Sequence, residues 1–159
     1  MELLSKFPIF EGMEKEELQD IAKICKLKRF EKGSEVFKAG DLAESLFLVN
    51  KGKVELRFKV SYQNASTEIS LDIVSPGEAL GWSALTPPFK YTLSAFAVEE
   101  TEVLEIKERD IKRICQEKSH LEYVLMNNLA KIIGQRFSAL PGILIQEIQQ
   151  NLKRKEYFS

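Results

Sequence analysis

The spacing of apolar residues changes twice along this chain, and those changes limit its fold more than any other feature of the sequence. Helical spacing, with apolar residues three or four positions apart, runs from residue 13 to residue 26. Alternation of apolar and polar residues, the period of a half-buried strand, then dominates from Val36 to Ile106. Helical spacing returns at Glu108. A block of β-strands between two helical segments is therefore expected.

Turn-forming residues divide the central block into short strands. Asn50-Lys51-Gly52-Lys53 lies between two alternating runs and predicts a hairpin over residues 45–60, because glycine can adopt positive φ. Residues 61–67 are polar and are expected to form a loop, and Pro76-Gly77 marks a further break. About eight short strands at intervals of roughly ten residues are typical of antiparallel sandwiches and barrels. The sequence thus predicts a mainly β protein, a double-stranded β-helix (jelly-roll) barrel with flanking helices.

Helices are predicted on both sides of this barrel. A short N-terminal helix precedes it, and a long helix follows it, beginning near Ser119. Pro141-Gly142 is expected to end the long helix and to leave one further amphipathic helix after it. The predicted division is a domain of residues 1–137, with its β-roll at about 26–107 and helices at 108–137, and a C-terminal helix at 138–159.

The long helix carries more apolar residues than one packing surface needs. Part of its apolar face is therefore expected to contact a second copy of the chain, which predicts a homodimer. The residues predicted for this dimer helix are Leu121, Leu125, Leu129 and Ile132.

Charge and composition argue against several classes of function. The formal net charge is -1, and basic residues are matched by acidic residues almost everywhere along the chain, so no basic surface for nucleic acid is predicted. No apolar stretch approaches the length of a membrane span and the first residues lack a signal-peptide pattern, so we expect a cytoplasmic protein without membrane contact. Cys25 and Cys115 lie far apart in apolar surroundings, as core cysteines in a reducing compartment do.

Residues for catalysis or for metal binding are not evident. His120, the single histidine, is expected at the exposed start of a helix, and no nucleophile or metal-ligand spacing accompanies it. Cupins are β-barrels of a similar kind, but they carry several metal-binding histidines. The sequence therefore favours a protein that is not an enzyme and that has no metal site.

The motifs of the barrel resemble the cyclic-nucleotide-binding domain family, the sensor module of catabolite activator proteins, protein kinase regulatory subunits and cyclic-nucleotide-gated channels. The resemblance covers roughly residues 4–137. It rests on Phe7-Pro8-Ile9-Phe10, Phe30-Glu31-Lys32-Gly33, Phe37-Lys38-Ala39-Gly40-Asp41, the segment from Leu46 to Val54, and five glycines in register, Gly33, Gly40, Gly52, Gly77 and Gly81. It implies a sensor fold, with cyclic AMP or cyclic GMP as the family's ligand.

In this family a short helix and loop, the phosphate-binding cassette, hold the ligand. Backbone N–H groups and an arginine bind the cyclic phosphate, and a glutamate accepts a hydrogen bond from the ribose. Residues 81–94 correspond to the cassette, but Trp82 stands at the position of the glutamate and Tyr91 at that of the arginine. The ligand-contacting residues that the resemblance implies are Gly81, Trp82, Ser83, Ala84, Lys90, Tyr91 and Ser94.

Loss of both anchoring residues weakens a cyclic-nucleotide site by about 2–3 kcal/mol for each charged hydrogen bond. Lys90 is a candidate phosphate ligand, although lysine lacks the planar two-pronged hydrogen bonding of arginine. The residues leave three interpretations open. The chain is a sensor of a different, nucleotide-like small ligand, a ligand-free structural or protein-interaction module, or the excised sensor domain of a larger transcription regulator.

Output through DNA is not expected from these residues. Relatives that regulate transcription carry a helix-turn-helix after the long helix, and residues 141–159 are too few to form one. Unless the chain is a fragment, its output is predicted to pass to an unidentified protein partner or to a change in its own dimer.

Overall fold

The body of the protein consists of two antiparallel four-stranded sheets, flanked by helices at both ends. The computed structural model describes the backbone of residues 2–158 and the side chains of residues 2–154. The strands are β1 (Cys25–Phe30), β2 (Glu35–Phe37), β3 (Ser45–Lys51), β4 (Val54–Tyr62), β5 (Ala65–Val74), β6 (Ala79–Leu80), β7 (Ser94–Ala97) and β8 (Thr101–Lys107). The α-helices are α1 (Glu2–Ser5), α2 (Lys15–Ile24), α3 (Glu108–Glu117) and α4 (Ser119–Phe158), and two 3-10 helices span Pro8–Phe10 and Trp82–Leu85.

The order of the strands confirms the predicted jelly-roll. One sheet has the order β1-β8-β3-β6 and the other β2-β7-β4-β5, so each sheet brings together strands from both ends of the block. The two sheets do not close into a continuous barrel. This arrangement, a β-roll with a short N-terminal helix and a long C-terminal helix, matches the fold class that the sequence predicts.

Strand β3 joins the two apolar cores of the protein. Its side chains at Leu46 and Leu48 lie in a core shared with the helices, whereas Phe47 and Val49 lie in the core between the sheets. All four are buried because helices cover one face of this strand and the second sheet covers the other. The β-roll is therefore held between its partner sheet and the helical layer.

The hairpin of β4 and β5 is longer than the sequence predicts. Residues 61–67 were expected to form a loop, but β4 reaches Tyr62 and β5 begins at Ala65. Gln63 turns the chain with a positive φ of 54°. The expectation was wrong because this end of the hairpin is exposed on both faces, so its strands need no apolar alternation.

Helix α4 continues through Pro141 instead of ending there. It runs without interruption from Ser119 to Phe158, so residues 138–159 do not begin a separate helix. Proline removes one backbone hydrogen bond and crowds the carbonyl four residues earlier, here that of Phe137. Phe137 is exposed, so water can solvate this carbonyl.

The structure places most of the predicted dimer residues inside the chain's own core. Leu121, Leu125 and Leu129 are only 0%, 1% and 3% exposed, and they pack against the first 3-10 helix and strand β3. Ile132 is half-buried against the same core. A second copy therefore cannot reach these leucines while the domain is folded, and the surface that α4 offers to a partner is its other side.

Among residues 2–158, no helix combines the length and the apolar character needed to cross a lipid bilayer.

Candidate functional site

The cassette begins at a backbone position that only glycine fills without strain. Gly81 follows β6 with a φ of +81° and precedes the 3-10 helix Trp82–Leu85. A Cβ atom on Gly81 would lie 3.0 Å from the carbonyl oxygen of Ser45. Ala84 is fully buried and fixes the 3-10 helix to the core between the sheets. Gly81 and Ala84 thus shape the cassette in the way that the resemblance implies.

Tyr91, which the sequence resemblance aligns with the family's arginine, is buried in the core between the sheets. Its ring stacks on Phe37, with 3.9 Å between the ring centroids and 12° between the planes. Its hydroxyl donates to the carbonyl oxygen of Ser45 at 2.8 Å and accepts from the backbone N–H of Ser45 at 3.3 Å. Burial is the main cause that raises the pKa of Tyr91 above its ordinary value. The side chain is thus a neutral, hydrogen-bonded part of the core.

Little space remains at the phosphate-binding end of the cassette. The cavity there measures about 40 Å³, and its lining includes Gly81, Trp82, Ser83 and Tyr91. The other three predicted ligand residues, Ala84, Lys90 and Ser94, do not line this cavity. Lys90 is exposed and pairs with Leu42 in an isolated bridge, and the hydroxyl of Ser94 accepts a hydrogen bond from the backbone N–H of Ala39 at 3.0 Å.

Arg136 of helix α4 reaches the cassette, and sequence reasoning did not identify it. Its guanidinium carbon lies 4.5 Å from the centroid of the Trp82 ring. Its Nη2 donates to the carbonyl oxygen of Ala79 at 2.7 Å. Asp72 and Glu78 of the β-roll lie 3.6 Å from Nε and 3.5 Å from Nη2, respectively. This residue therefore connects the C-terminal helix to the cassette and to the roll.

A second, larger cavity lies between the β-roll and helix α4, and we call it the helix groove. It has a volume of about 710 Å³ and contains Trp82 and Arg136 in its lining. Strands β4 and β5 contribute Leu56 and Leu71, and helix α4 contributes Leu140. The groove is large enough for a small organic molecule, because such sites commonly measure about 300–1,000 Å³.

The sequence pattern contains no signal for this arrangement. Arg136 and Ala79 are 57 residues apart in the sequence. The residues around Arg136 predict a helix and give no indication of a contact with the roll. Asp72 lies in an alternating strand where a polar residue is expected to face water. These groups come together only because α4 packs against the roll in the folded protein.

Three side chains of types that can bind a metal ion lie close together near the N-terminal end of α4. One ligand atom each of Glu14, Glu17 and His120 lies within 4.8 Å of the others. The buried carboxylate of Glu17 is already engaged, since it accepts from the backbone N–H of Glu14 at 2.9 Å and lies 2.9 Å from Nδ1 of His120. These contacts join the starts of α2 and α4, which is a structural role.

Comparison with known proteins assigns the family. A sequence model described as the cyclic nucleotide-binding domain matches residues 27–118, which is more than half of the chain. The chain belongs to the cyclic nucleotide-binding domain family. The expectation drawn from the glycines and the strand pattern is thereby confirmed, and the cassette described above is that of a family member.

Relatives in the cyclic nucleotide-binding domain family include sensors of different lengths. The chain is 30% identical over 129 residues to the "Cyclic AMP receptor protein" of Thermus thermophilus, covering 81% of this chain and 56% of that protein, so it spans little more than half of it. It is 32% identical to a solved protein of Geobacter metallireducens named for cyclic nucleotide binding, with a TM-score of 0.73, covering 86% of this chain and 96% of that one.

A third family member shows similarity of fold alone. The regulatory domain of Toxoplasma gondii PKA, solved with cAMP, is 19% identical to this chain, with a TM-score of 0.71 over 84% of this chain and 48% of that one.

Proposed function

We propose that this chain is a regulatory module that binds a small ligand in the helix groove and not at the phosphate-binding end of its cassette. The observation that carries this proposal is the position of Tyr91, whose hydroxyl is already bound to the backbone of Ser45. About 40 Å³ remains beside it, compared with about 710 Å³ in the helix groove. The missing arginine and glutamate remove the charged partners of a cyclic nucleotide, which supports a different ligand.

Binding in the helix groove would couple the ligand to the position of α4. One wall of the groove belongs to β4 and β5 and the other to α4, so a ligand there contacts both. A molecule that binds only when the two walls are correctly spaced stabilises that arrangement by its differential affinity. This role is regulatory rather than catalytic, in keeping with a family of sensor domains.

The module acts as a homodimer in this proposal, through the exposed side of α4. Apolar residues recur there at spacings of three and four, which is the pattern of a coiled-coil seam. We call them the outer stripe: Tyr123, Met126, Ala130, Ile133, Phe137, Leu140 and Leu144. Tyr123 is 69% exposed and Phe137 is 73% exposed. Ile133, Phe137 and Leu140 also line the helix groove, so a partner helix on the stripe would lie beside a bound ligand.

A ligand-free interaction module is the second candidate. Arg136 and Tyr91 hold the helix and the cassette against the roll with contacts from the chain itself. In this second candidate function, no small molecule binds in the helix groove, and the outer stripe binds a protein. A longer regulator that contains this chain as its sensor part is compatible with either candidate, since the chain aligns with 56% of the Thermus receptor.

Thermal unfolding with cyclic nucleotides tests the first half of the proposal. A ligand that binds only the folded state raises the unfolding midpoint. Cyclic AMP and cyclic GMP at millimolar concentration are expected to leave the midpoint of the wild-type protein unchanged. A clear rise with either nucleotide would show that Tyr91 moves aside, and it would overturn the proposal.

A neutral apolar dye tests the helix groove itself. N-phenylnaphthylamine is expected to gain fluorescence on binding the wild-type protein, because it fluoresces more strongly away from water. Ala139 is exposed on α4 and lines the groove, so Ala139→Trp should fill the space and abolish the gain. Gln149→Trp, at an exposed position outside the groove, is the matched control and should bind the dye normally. Equal binding by both variants would favour the ligand-free module.

A further inference from the structure

The lining of the helix groove is mostly apolar, and its charged residues lie together. Side chains such as Leu56, Phe58, Leu71 and Ile143 form its length. Its charged residues, among the described side chains, are Asp72, Glu78 and Arg136, and these lie together beside Trp82. A ligand that fits this distribution has a long apolar part and one polar end.

Arg136 lacks sufficient partners for a buried charge. A guanidinium carries five N–H donors, but the structure gives Arg136 one hydrogen bond of ordinary length, to Ala79. Its Nη1 is buried and has no hydrogen-bond partner among the described residues. Burial lowers the pKa of Arg136 despite the opposing charges of Asp72 and Glu78. Asp72 and Glu78 thus balance the charge of Arg136, but one buried N–H donor of its guanidinium has no acceptor among the described residues.

The two acidic neighbours are exchangeable partners rather than permanent ones. Their distances to Arg136, 3.6 Å and 3.5 Å, exceed the length of a good charge-assisted hydrogen bond. Asp72 and Glu78 expose 40% and 47% of their side chains, whereas Arg136 exposes 17%. Water therefore screens the acids more than the arginine, and the acids can turn to solvent when the guanidinium meets another anion.

We propose that the helix groove binds an amphiphilic carboxylate, with its apolar part along the groove and its carboxylate on Arg136. The inference rests on the groove site proposed above and names its ligand class. A carboxylate matches the planar fork of a guanidinium and can use Nη1 once the side chain turns toward the groove. An ammonium group has no lone pair and cannot accept a hydrogen bond from Nη1. A neutral hydroxyl can accept one there, but an uncharged hydrogen bond is weaker than the charge-assisted bonds of a carboxylate.

The intrinsic fluorescence of Trp82 provides a direct readout, because Trp82 is the single tryptophan of the chain and lines the groove. We would titrate the wild-type protein with decanoate, decanol and decylamine, which share one apolar chain and differ in charge. Decanoate is expected to bind about 10- to 100-fold more tightly than decanol. Decylamine is expected to bind most weakly. Equal affinity for decanoate and decanol overturns the inference.

A variant of the arginine shows whether the preference comes from this residue. Arg136→Gln should bring the affinity for decanoate down to the affinity for decanol, with both measured on the same variant. Arg113→Gln is the matched control, since Arg113 is exposed on α3 and pairs with Asp110, and it should keep the preference. An undiminished preference in Arg136→Gln overturns the inference.

Two further measurements keep the test decisive. If circular dichroism shows that Arg136→Gln is unfolded, Arg136→Lys replaces it. A lysine keeps the charge without the planar fork, so the preference for decanoate should shrink but persist. The neutral dye separates this inference from the proposed function. If the dye binds but decanoate is not preferred, the inferred ligand class is wrong and the proposed groove site stands. If the dye does not bind, the proposed groove site is itself wrong.

Discussion

Tyr91 is a neutral core residue at the position that the sequence resemblance assigns to a ligand-binding arginine. An unpaired arginine at a buried position would carry a large desolvation cost. The phenol avoids this cost, because it is neutral and its hydroxyl satisfies both the N–H and the carbonyl of Ser45. The ring adds a stacked contact with Phe37. Tyr91 therefore has a structural role at this position.

Removing the Tyr91 hydroxyl should destabilise the protein. Tyr91→Phe leaves the backbone groups of Ser45 without this partner in a buried site, and the expected loss is about 1–3 kcal/mol in the free energy of unfolding. Urea denaturation measures it. Tyr62→Phe is the control, since Tyr62 is 75% exposed and should change stability by less than about 0.5 kcal/mol. Equal effects of the two changes would contradict the hydrogen-bonding role of Tyr91.

Both cysteines should resist alkylation in the folded protein. Burial raises the pKa of Cys25 to about 12, and burial followed by the charge of Glu122 raises that of Cys115 to about 11. The thiolate is the reactive form, so a higher pKa leaves less of it at mildly alkaline pH. Iodoacetamide is expected to label both slowly in native buffer and rapidly in guanidinium chloride, as followed by mass spectrometry. Rapid labelling of either in native buffer would contradict this.

The hairpin of β3 and β4 depends on close approach of its turn to a neighbouring loop. Gly52 has a φ of +91°, and a Cβ atom there would lie 2.5 Å from the carbonyl oxygen of Glu100. Gly40 has nearly the same φ, +92°, with nothing within 4 Å of such a Cβ atom. The two glycines therefore separate the cost of a positive φ from the cost of a steric clash.

Alanine at these glycines should give unequal losses of stability. Gly40→Ala costs about 1–2 kcal/mol, because alanine must adopt a positive φ. Gly52→Ala costs about 1–3 kcal/mol more, because the loop at Glu100 must also move. Urea denaturation of both variants measures the difference. If Gly52→Ala loses no more stability than Gly40→Ala, the loop at Glu100 moves without a cost in free energy, and the clash is not the reason for this glycine.

Local sequence patterns predicted the strands but not the contacts between distant elements. Alternation and turn glycines indicated β3 and β4, since both signals arise within a few residues. The predicted end of α4 at Pro141 was wrong, because the prediction considered the proline alone and not the exposed helix on either side of it. The cassette could be placed from its glycine and its flanking pattern. The groove could not, since Arg136 meets Asp72 and Ala79 only through the path of α4.

Helix α4 has two apolar faces with different roles in the whole molecule. The inner face, with Leu121, Leu125 and Leu129, belongs to the domain core. Most of the outer stripe is exposed, although Ile133 packs partly against the core, and exposed apolar residues in a coiled-coil pattern are typical of an interface. A charge at Leu125 is therefore expected to unfold the domain rather than to separate a dimer, as circular dichroism can show.

Charges on the outer stripe should separate the proposed dimer into folded monomers. Tyr123 and Leu144 belong to the stripe without lining the groove, so Tyr123→Glu combined with Leu144→Glu acts on the interface alone. Sedimentation should then show a folded monomer that still binds the groove dye. Lys131→Glu combined with Gln149→Glu lies off the stripe and should remain dimeric. A monomeric wild-type protein, or a dimer that survives the stripe variant, would contradict this interface and leave the stripe to a different protein partner.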